Sequence, residues 1–150
     1  MYRLMLADDS NATQKIVTLA FKDTNYQVIC LSDGVDVIEY ISHSPVDIML
    51  IDVDLPGIDG YQLSKMLQKD KLTADIPVVL MGSIRCPLDE DKIQGFQPSA
   101  RLEKPFETSQ LLELVKRLLS DKDNQEFIVR VEKGKAGVQE TLFDAVISSI

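Results

Sequence analysis

Short apolar runs alternate with amphipathic stretches along the first 120 residues, and this alternation restricts the possible folds more than any other feature of the chain. Five runs have the length of a β-strand: residues 2–7, 27–31, 47–51, 76–81 and 100–102. The third and fourth runs are almost continuously apolar, which is typical of parallel strands that are covered on both faces. The fifth run is the weakest.

Helical spacing of apolar residues fills the intervals between these runs. The predicted helices are residues 11–24, 35–42, 61–70, 89–96 and 108–120. In the first helix, Ile16 and Leu19 occupy the apolar spacing, and Ser10 or Asn11 can cap the first turn. Met49, Met66 and Met81 are expected in the core. Strict alternation of strands and helices predicts a (βα)₅ doubly wound parallel sheet, which is an α/β fold.

The sequence changes character after residue 120. Residues 121–125 read as a polar linker, and Phe127, Val129 and Val131 alternate with polar residues as in a strand. Residues 138–150 place apolar side chains at helical spacing. About 30 residues cannot form a core alone. We therefore predict a domain over 1–120 and a C-terminal extension over 121–150, which packs on the domain, packs on a second copy in a homodimer or stays partly disordered.

Composition excludes several classes of function. The formal net charge of −8 argues against a nucleic-acid partner, because phosphate contacts require clustered Lys and Arg. The two cysteines, Cys30 and Cys86, lack the spacing of a zinc site. No stretch approaches the roughly 20 apolar residues of a membrane span, and the N-terminal run is too short for a signal peptide. We expect a cytoplasmic protein with reduced thiols and no membrane partner.

Charged residues follow three of the predicted strands. Asp8 and Asp9 follow the first, Asp52 ends the third, and Lys104 follows the fifth. In a doubly wound sheet, these strand ends meet at one edge. Clustered carboxylates repel one another unless a cation neutralises them, and Mg²⁺ prefers such oxygen ligands. An aspartate beside Mg²⁺ and a lysine can attack phosphorus and form an acyl phosphate.

Four stretches, MLADDS, DIMLIDVDLPGIDG, IPVVLM and EKPF, resemble the receiver domain of bacterial response regulators. The resemblance covers roughly residues 1–120. Its strongest part is Asp52 followed by Pro56 and Gly60, with Lys104 and Pro105 further along the chain. It implies a flavodoxin-like fold with strand order 2-1-3-4-5, in which Asp52 is the phospho-acceptor and Lys104 is the site lysine.

The resemblance also implies a ligand set and partners. Asp9 would coordinate Mg²⁺ directly and Asp8 through water, and the backbone carbonyl of Asp54 would be a further ligand. The Lys104–Pro105 peptide would be cis. The chain would not be an enzyme in the ordinary sense: it would take phosphate from a histidine kinase or phosphotransferase and signal to a downstream protein in a two-component phosphorelay.

Two positions depart from the family pattern. Gly82 stands where a Thr or Ser normally binds the phosphoryl group, and Ser83 is the neighbouring hydroxyl. On a regular strand, the side chain of Ser83 would point the other way. Arg101 stands where the family usually has an aromatic switch residue. We therefore expect intact phosphorylation chemistry, a small structural response and an Arg101 side chain that stays on the surface.

Two other functions fit parts of the pattern. The departures at Gly82 and Arg101 favour a pseudo-receiver, a protein-binding module that no longer switches by phosphorylation. The carboxylates Asp8, Asp9 and Asp52 oppose this reading. A haloacid-dehalogenase-type phosphatase would explain Asp52-Val53-Asp54 after an apolar strand, but that family places the motif on its first strand.

Overall fold

The computed structural model describes the backbone of residues 1–134 and the side chains of residues 1–122. Strands and helices alternate strictly through this part of the chain. The elements are β1 Tyr2–Ala7, α1 Asn11–Ala20, β2 Tyr26–Leu31, α2 Gly34–His43, β3 Ile48–Asp52, α3 Gly60–Lys69, β4 Val78–Gly82, α4 Glu90–Ile93, β5 Ala100–Glu103 and α5 Thr108–Gly134. The predicted order of elements over the first 120 residues is therefore confirmed.

The five strands form one parallel sheet in the order β2-β1-β3-β4-β5. This arrangement confirms the predicted doubly wound, flavodoxin-like topology. The register pairs Ala7 with Ile51, Asp52 with Met81, and Gly82 with Glu103. The carboxyl ends of β1, β3, β4 and β5 consequently lie along one edge of the sheet.

The core lies on both faces of the central strands. All five residues of β3 are buried, as the continuous apolar run predicts. Met49, Ile51 and Leu80 belong to a buried cluster that includes side chains of α2, α3 and α4. Leu50 and Met81, which alternate with them, point to the opposite face and are also fully buried.

The structure corrects the predicted face of α1. Ile16 and Leu19 are exposed, whereas Thr13, Val17 and Phe21 are buried. These three residues recur at i, i+4 and i+8, so they share one face of a helical turn even though Thr13 is polar. Both sets of residues have helical spacing. The prediction chose the face of Ile16 and Leu19 because the other face includes the polar residue Thr13.

One predicted core methionine is also wrong. Met66 in α3 is 46% exposed, whereas Met49 and Met81 are fully buried. The buried face of α3 is formed by Tyr61, Leu63 and Leu67. The buried face of α3 therefore begins in its first turn, directly after the loop that follows β3.

Close approach of backbone explains the glycine that opens α3. A Cβ on Gly60 would lie 2.3 Å from the carbonyl oxygen of Asp52 and 2.7 Å from Cα of Val53. The Gly60 N–H donates to the carbonyl of Val53 over 3.1 Å. Asp59 caps the helix by accepting from the Gln62 N–H. This contact brings the first turn of α3 against the end of β3, beside Asp52.

The secondary structure after residue 120 differs from the prediction. The linker at 121–125 and the strand around Val129 are absent, because α5 continues to Gly134. Residues 121–133 contain no Pro or Gly, and extending an existing helix requires no new pairing partner, whereas a strand does. The predicted helix over 138–150 lies outside the described residues.

The chain divides inside α5. Residues Met1–Leu114 form one compact unit, and a second unit begins at Val115. The domain boundary at residue 120, the packing of the extension and the homodimer stay predictions. Among the described helices, none combines the length and the apolar character that a membrane crossing requires.

Candidate functional site

The predicted site residues meet at the carboxyl edge of the sheet. Asp8 and Asp9 directly follow β1, Asp52 is the last residue of β3, and Lys104 directly follows β5. The strand order places β1 next to β3, with β5 two strands away from β3. Lys104 is long enough to cross this distance, and its ammonium group reaches both Asp8 and Asp52.

Both carboxylate oxygens of Asp8 have partners, and the residue is fully buried. Its Oδ1 accepts from the backbone N–H of Ser10 over 2.9 Å, and its Oδ2 accepts from Lys104 Nζ over 2.6 Å. A buried carboxylate requires such partners, because an unpaired charge is costly in the interior. Ser10 also caps α1, so the turn after β1 positions Asp8.

Asp52 is less well satisfied. It is 6% exposed, with its Oδ1 3.4 Å from the Asp54 N–H nitrogen and its Oδ2 3.4 Å from Lys104 Nζ. Burial, followed by the charge of Asp8, raises the pKa of Asp52 above the ordinary range, and Lys104 only partly opposes this shift. The ionised form of Asp52 is therefore destabilised, and an added cation would stabilise it.

Lys104 stays a cation despite its partial burial. Burial lowers its pKa, but the hydrogen bond to Asp8 and the charges of Asp8 and Asp52 outweigh this effect and raise the pKa above the ordinary value. The Lys104–Pro105 peptide is cis, as the resemblance implies. The Lys104 N–H donates to the Gly82 carbonyl over 2.9 Å, so the end of β4 holds the lysine backbone.

The three aspartates fit a divalent metal ion. One carboxylate oxygen each from Asp8, Asp9 and Asp52 lies within 4.8 Å of the others. Three carboxylates beside the single ammonium of Lys104 leave an excess of negative charge, and oxygen ligands are those that Mg²⁺ selects. Asp9 is exposed, whereas Asp8 and Asp52 are buried, so one side of the cluster is open to solvent.

The departure at Gly82 has a steric explanation. A Cβ at this position would lie 2.9 Å from both Cγ and the backbone nitrogen of Leu88. The loop after β4 therefore approaches the end of the strand too closely for a side chain. The Oγ of the neighbouring Ser83 accepts from the Cys86 N–H over 3.0 Å, which ties this side chain to its own loop and leaves its O–H as a donor. The role of Ser83 at the site stays a prediction.

Arg101 lies on the surface, as the sequence predicts. Its Nε and Nη2 form a two-pronged contact with Glu90 of α4, at 2.9 Å and 3.0 Å. The two side chains are 44% and 67% exposed. The position that is aromatic in the family pattern therefore holds an ion pair between β5 and α4.

Sequence reasoning missed Tyr61 and Arg85. The Tyr61 hydroxyl accepts from the Asp89 N–H over 2.9 Å, which joins the start of α3 to the cap of α4. Arg85 lines a groove together with Ser83 and Lys104. The position of Tyr61 directly after Gly60 was a usable signal, but nothing in the sequence marks Arg85.

Residues 4–116 match the model of the response regulator receiver domain. The chain is 32% identical over 125 residues to the DNA-binding dual master transcriptional regulator RpaA of Synechocystis, covering 82% of this chain and 51% of RpaA. The chain thus spans about half of that relative. It is 29% identical over 122 residues to Protein PilH of Pseudomonas aeruginosa, covering 80% of this chain and 99% of PilH.

Solved structures of receiver domains and response regulators have a similar fold. A putative response regulator from Chloroflexus aurantiacus has a TM-score of 0.73 and 27% identity, covering 79% of this chain and 98% of that one. The receiver domain of a sensor histidine kinase from Pseudomonas aeruginosa PAO1, with magnesium in its active site cleft, has a TM-score of 0.72 and 19% identity over the same shares. The latter shows likeness of fold. Because the family model matches residues 4–116, which are most of the chain, the chain belongs to the response regulator receiver domain family.

Proposed function

We propose that this receiver domain accepts a phosphoryl group on Asp52 with Mg²⁺ bound beside it. The observation that carries the proposal is the shared lysine: Lys104 Nζ lies 2.6 Å from Asp8 and 3.4 Å from Asp52, and Asp9 completes a cluster of three carboxylates. A buried carboxylate with a raised pKa beside two acids and one lysine suits phosphoryl transfer better than a structural role.

The chemistry follows from these groups. A carboxylate oxygen of Asp52 forms a bond to phosphorus while the bond from phosphorus to the donor atom breaks, and the donor leaves with that electron pair. Lys104 neutralises a phosphoryl oxygen. Asp8, Asp9, Asp52 and, as the resemblance implies, the backbone carbonyl of Asp54 would hold Mg²⁺. When bound, this ion supplies Lewis-acid stabilisation of the phosphoryl charge.

Partners are part of the proposal. Receiver domains are signalling modules and not ordinary enzymes, and we propose a histidine kinase or phosphotransferase as donor and a protein as downstream target. RpaA is named as DNA-binding, but the match spans only half of it, and we propose no direct nucleic-acid contact for this segment. Cys30 and Cys86 are both free, which supports a cytoplasmic location.

The competing interpretations receive no support. The assembled contacts of Lys104 with two buried carboxylates are not expected of a module that makes no use of phosphate. Asp52 ends the third strand along the chain, whereas the phosphatase motif belongs to a first strand.

Labelling by a small acyl phosphate tests the proposal. Intact mass of wild type with Mg²⁺ and donor should show one added phosphoryl group, which is lost in Asp52→Asn. Asp54→Asn is the matched control, since it removes a nearby exposed carboxylate and leaves the backbone carbonyl in place. Equal labelling of wild type and Asp52→Asn would contradict the assignment, as would labelling that chelation of the metal leaves unchanged.

A further inference from the structure

A groove opens beside the proposed phosphoryl site. It has a volume of about 410 Å³ and is lined by side chains of α1, of the loop after β4 and of the loop after β5. Ser83, Ile84 and Arg85 come from the loop after β4, and Lys104 comes from the other wall. Lys104 is common to the groove and to the aspartate cluster, because its Nζ lies 3.4 Å from Asp52 Oδ2.

The phosphoryl site itself offers few hydrogen-bond donors to an anion. Gly82 has no hydroxyl, and Leu88 takes the space in which a side chain would lie. Lys104, which the proposed function assigns to a phosphoryl oxygen, is shared with Asp8 and Asp52. Bound Mg²⁺ and Lys104 would together balance the three carboxylates, but the whole chain carries a net charge of −8, which repels a negatively charged donor. A second cation at the groove would offset this repulsion.

Arg85 has the position and freedom to be that cation. It is exposed, it lines the groove with Lys104, and it belongs to none of the ion pairs formed by side chains of residues 1–122. Arg101 differs, because Glu90 already holds its guanidinium. The planar guanidinium of arginine presents several N–H donors in a geometry that matches phosphate oxygens.

We propose that Arg85 binds the oxygens of the incoming phosphoryl group in this groove. It donates the hydrogen bonds that a hydroxyl at position 82 would otherwise donate. The inference rests on the proposed function. The ligand class is a small anionic phosphodonor, such as an acyl phosphate. In the transfer, the bond from phosphorus to the acyl oxygen breaks as the bond to Asp52 forms, and the carboxylate product leaves with the electron pair. Arg85 contacts only the phosphoryl oxygens.

Phosphorylation kinetics with acetyl phosphate test the proposal in the full chain with saturating Mg²⁺. Charge-assisted hydrogen bonds are strong enough that Arg85→Gln should lower the phosphorylation rate constant divided by KM about tenfold or more. Arg85→Lys keeps the charge and should retain most of the rate. Lys22→Gln is the charge-matched control, because Lys22 lies in the turn between α1 and β2, at the opposite edge of the sheet. It should behave like wild type.

Two further readouts separate binding from a structural effect. The loss in Arg85→Gln should shrink as salt rises towards about 1 M, because screening weakens the attraction. The affinity for beryllofluoride, which mimics the bound phosphoryl group, should fall in Arg85→Gln and not in Lys22→Gln. Equal kinetics for Arg85→Gln and Lys22→Gln would overturn the role of Arg85 while Asp52 labelling stands. Failure of wild type to label would instead remove the proposed function.

Discussion

Gly82 at the end of β4 and Leu88 in the loop that follows explain why no side chain stands at the position where the family pattern has a hydroxyl. Gly82 is buried, and its missing side chain is replaced in space by Leu88. Any larger residue at position 82 would have to displace Leu88, or the loop that carries it, before its side chain could reach Asp52. The departure is thus coupled to the conformation of the loop after β4, and reversing it would require more than one substitution.

Gly82→Ala should destabilise the fold by about 1–3 kcal/mol, because inserted groups in a packed site force shifts of backbone or side chains. The new Cβ would lie 2.9 Å from Leu88, so Leu88→Ala should relieve part of this cost. Urea unfolding of both single variants and the double variant forms a cycle that measures the coupling. Additive losses in the double variant would show that the side chain of Leu88 is not what excludes a side chain from position 82, and would leave its backbone nitrogen as the obstacle.

At the scale of elements, the short helix α4 depends on its neighbours. It spans only Glu90–Ile93, too few residues to be stable alone. Asp89 caps it through the Asp91 N–H, Tyr61 accepts from the Asp89 N–H, and Arg101 pairs with Glu90. The Arg101 pair is exposed and contributes little, whereas Tyr61 is buried. This anchoring bears on the expected small response to phosphorylation, which stays a prediction.

Tyr61→Phe should loosen the start of α4. The substitution keeps the ring and removes the acceptor of the Asp89 N–H, a contact worth about 0.5–1.5 kcal/mol. Amide exchange should quicken at Asp89 and in α4 by several-fold. Tyr40→Phe is the control, since the Tyr40 hydroxyl accepts from Arg3 and not from α4. Unchanged exchange at Asp89 in Tyr61→Phe would show that the caps alone hold α4.

At the scale of the whole molecule, repulsion among the clustered carboxylates opposes folding when no metal is bound. The pKa of Asp52 is raised in the folded chain by burial and by Asp8, and the metal would relieve this repulsion. Stability and ligand binding are therefore linked: a ligand that binds only the folded state adds to the free energy of unfolding. In the metal-free chain, burial and the charge of Asp8 disfavour the ionised form of Asp52, and we expect this to lower the free energy of unfolding.

Asp52→Asn should be more stable than wild type at neutral pH without metal, by an amount on the order of 1 kcal/mol. Because the folded-state pKa of Asp52 is raised, the folded wild type binds a proton more tightly than the unfolded chain and loses stability as pH rises through that pKa. The advantage of Asp52→Asn should therefore shrink as pH falls below it.

Thermal unfolding with a chelator across pH measures this difference. Millimolar Mg²⁺ should stabilise wild type more than Asp52→Asn and reduce or reverse the gap. Asp54→Asn, a change of equal charge at an exposed neighbour, is the control. A metal-free Asp52→Asn that is less stable than wild type at neutral pH would show that the contact of Asp52 with Lys104 outweighs its burial.

The local pattern of apolar residues was sufficient to predict most helices and strands. It was insufficient to predict which face of a helix is buried. The five strands and the order of the helices follow from runs and spacing, but the buried face of α1 does not, because Ile16 and Leu19 compete with Thr13 and Val17 at the same period. The prediction after residue 120 failed for a related reason: three alternating apolar residues are a weak strand signal beside a helix that can simply continue.

The sequence by itself determined where the site residues stand along the chain, since Asp8 and Asp52 come directly after apolar runs of strand length and Lys104 follows the fifth run closely. Only the tertiary structure decided that Lys104 pairs with Asp8 more closely than with Asp52, that Leu88 occupies the space beside Gly82, and that Arg85 lines the groove. Asp8 and Lys104 are 96 residues apart, and such contacts depend on strand order and loop conformation, which no local spacing encodes.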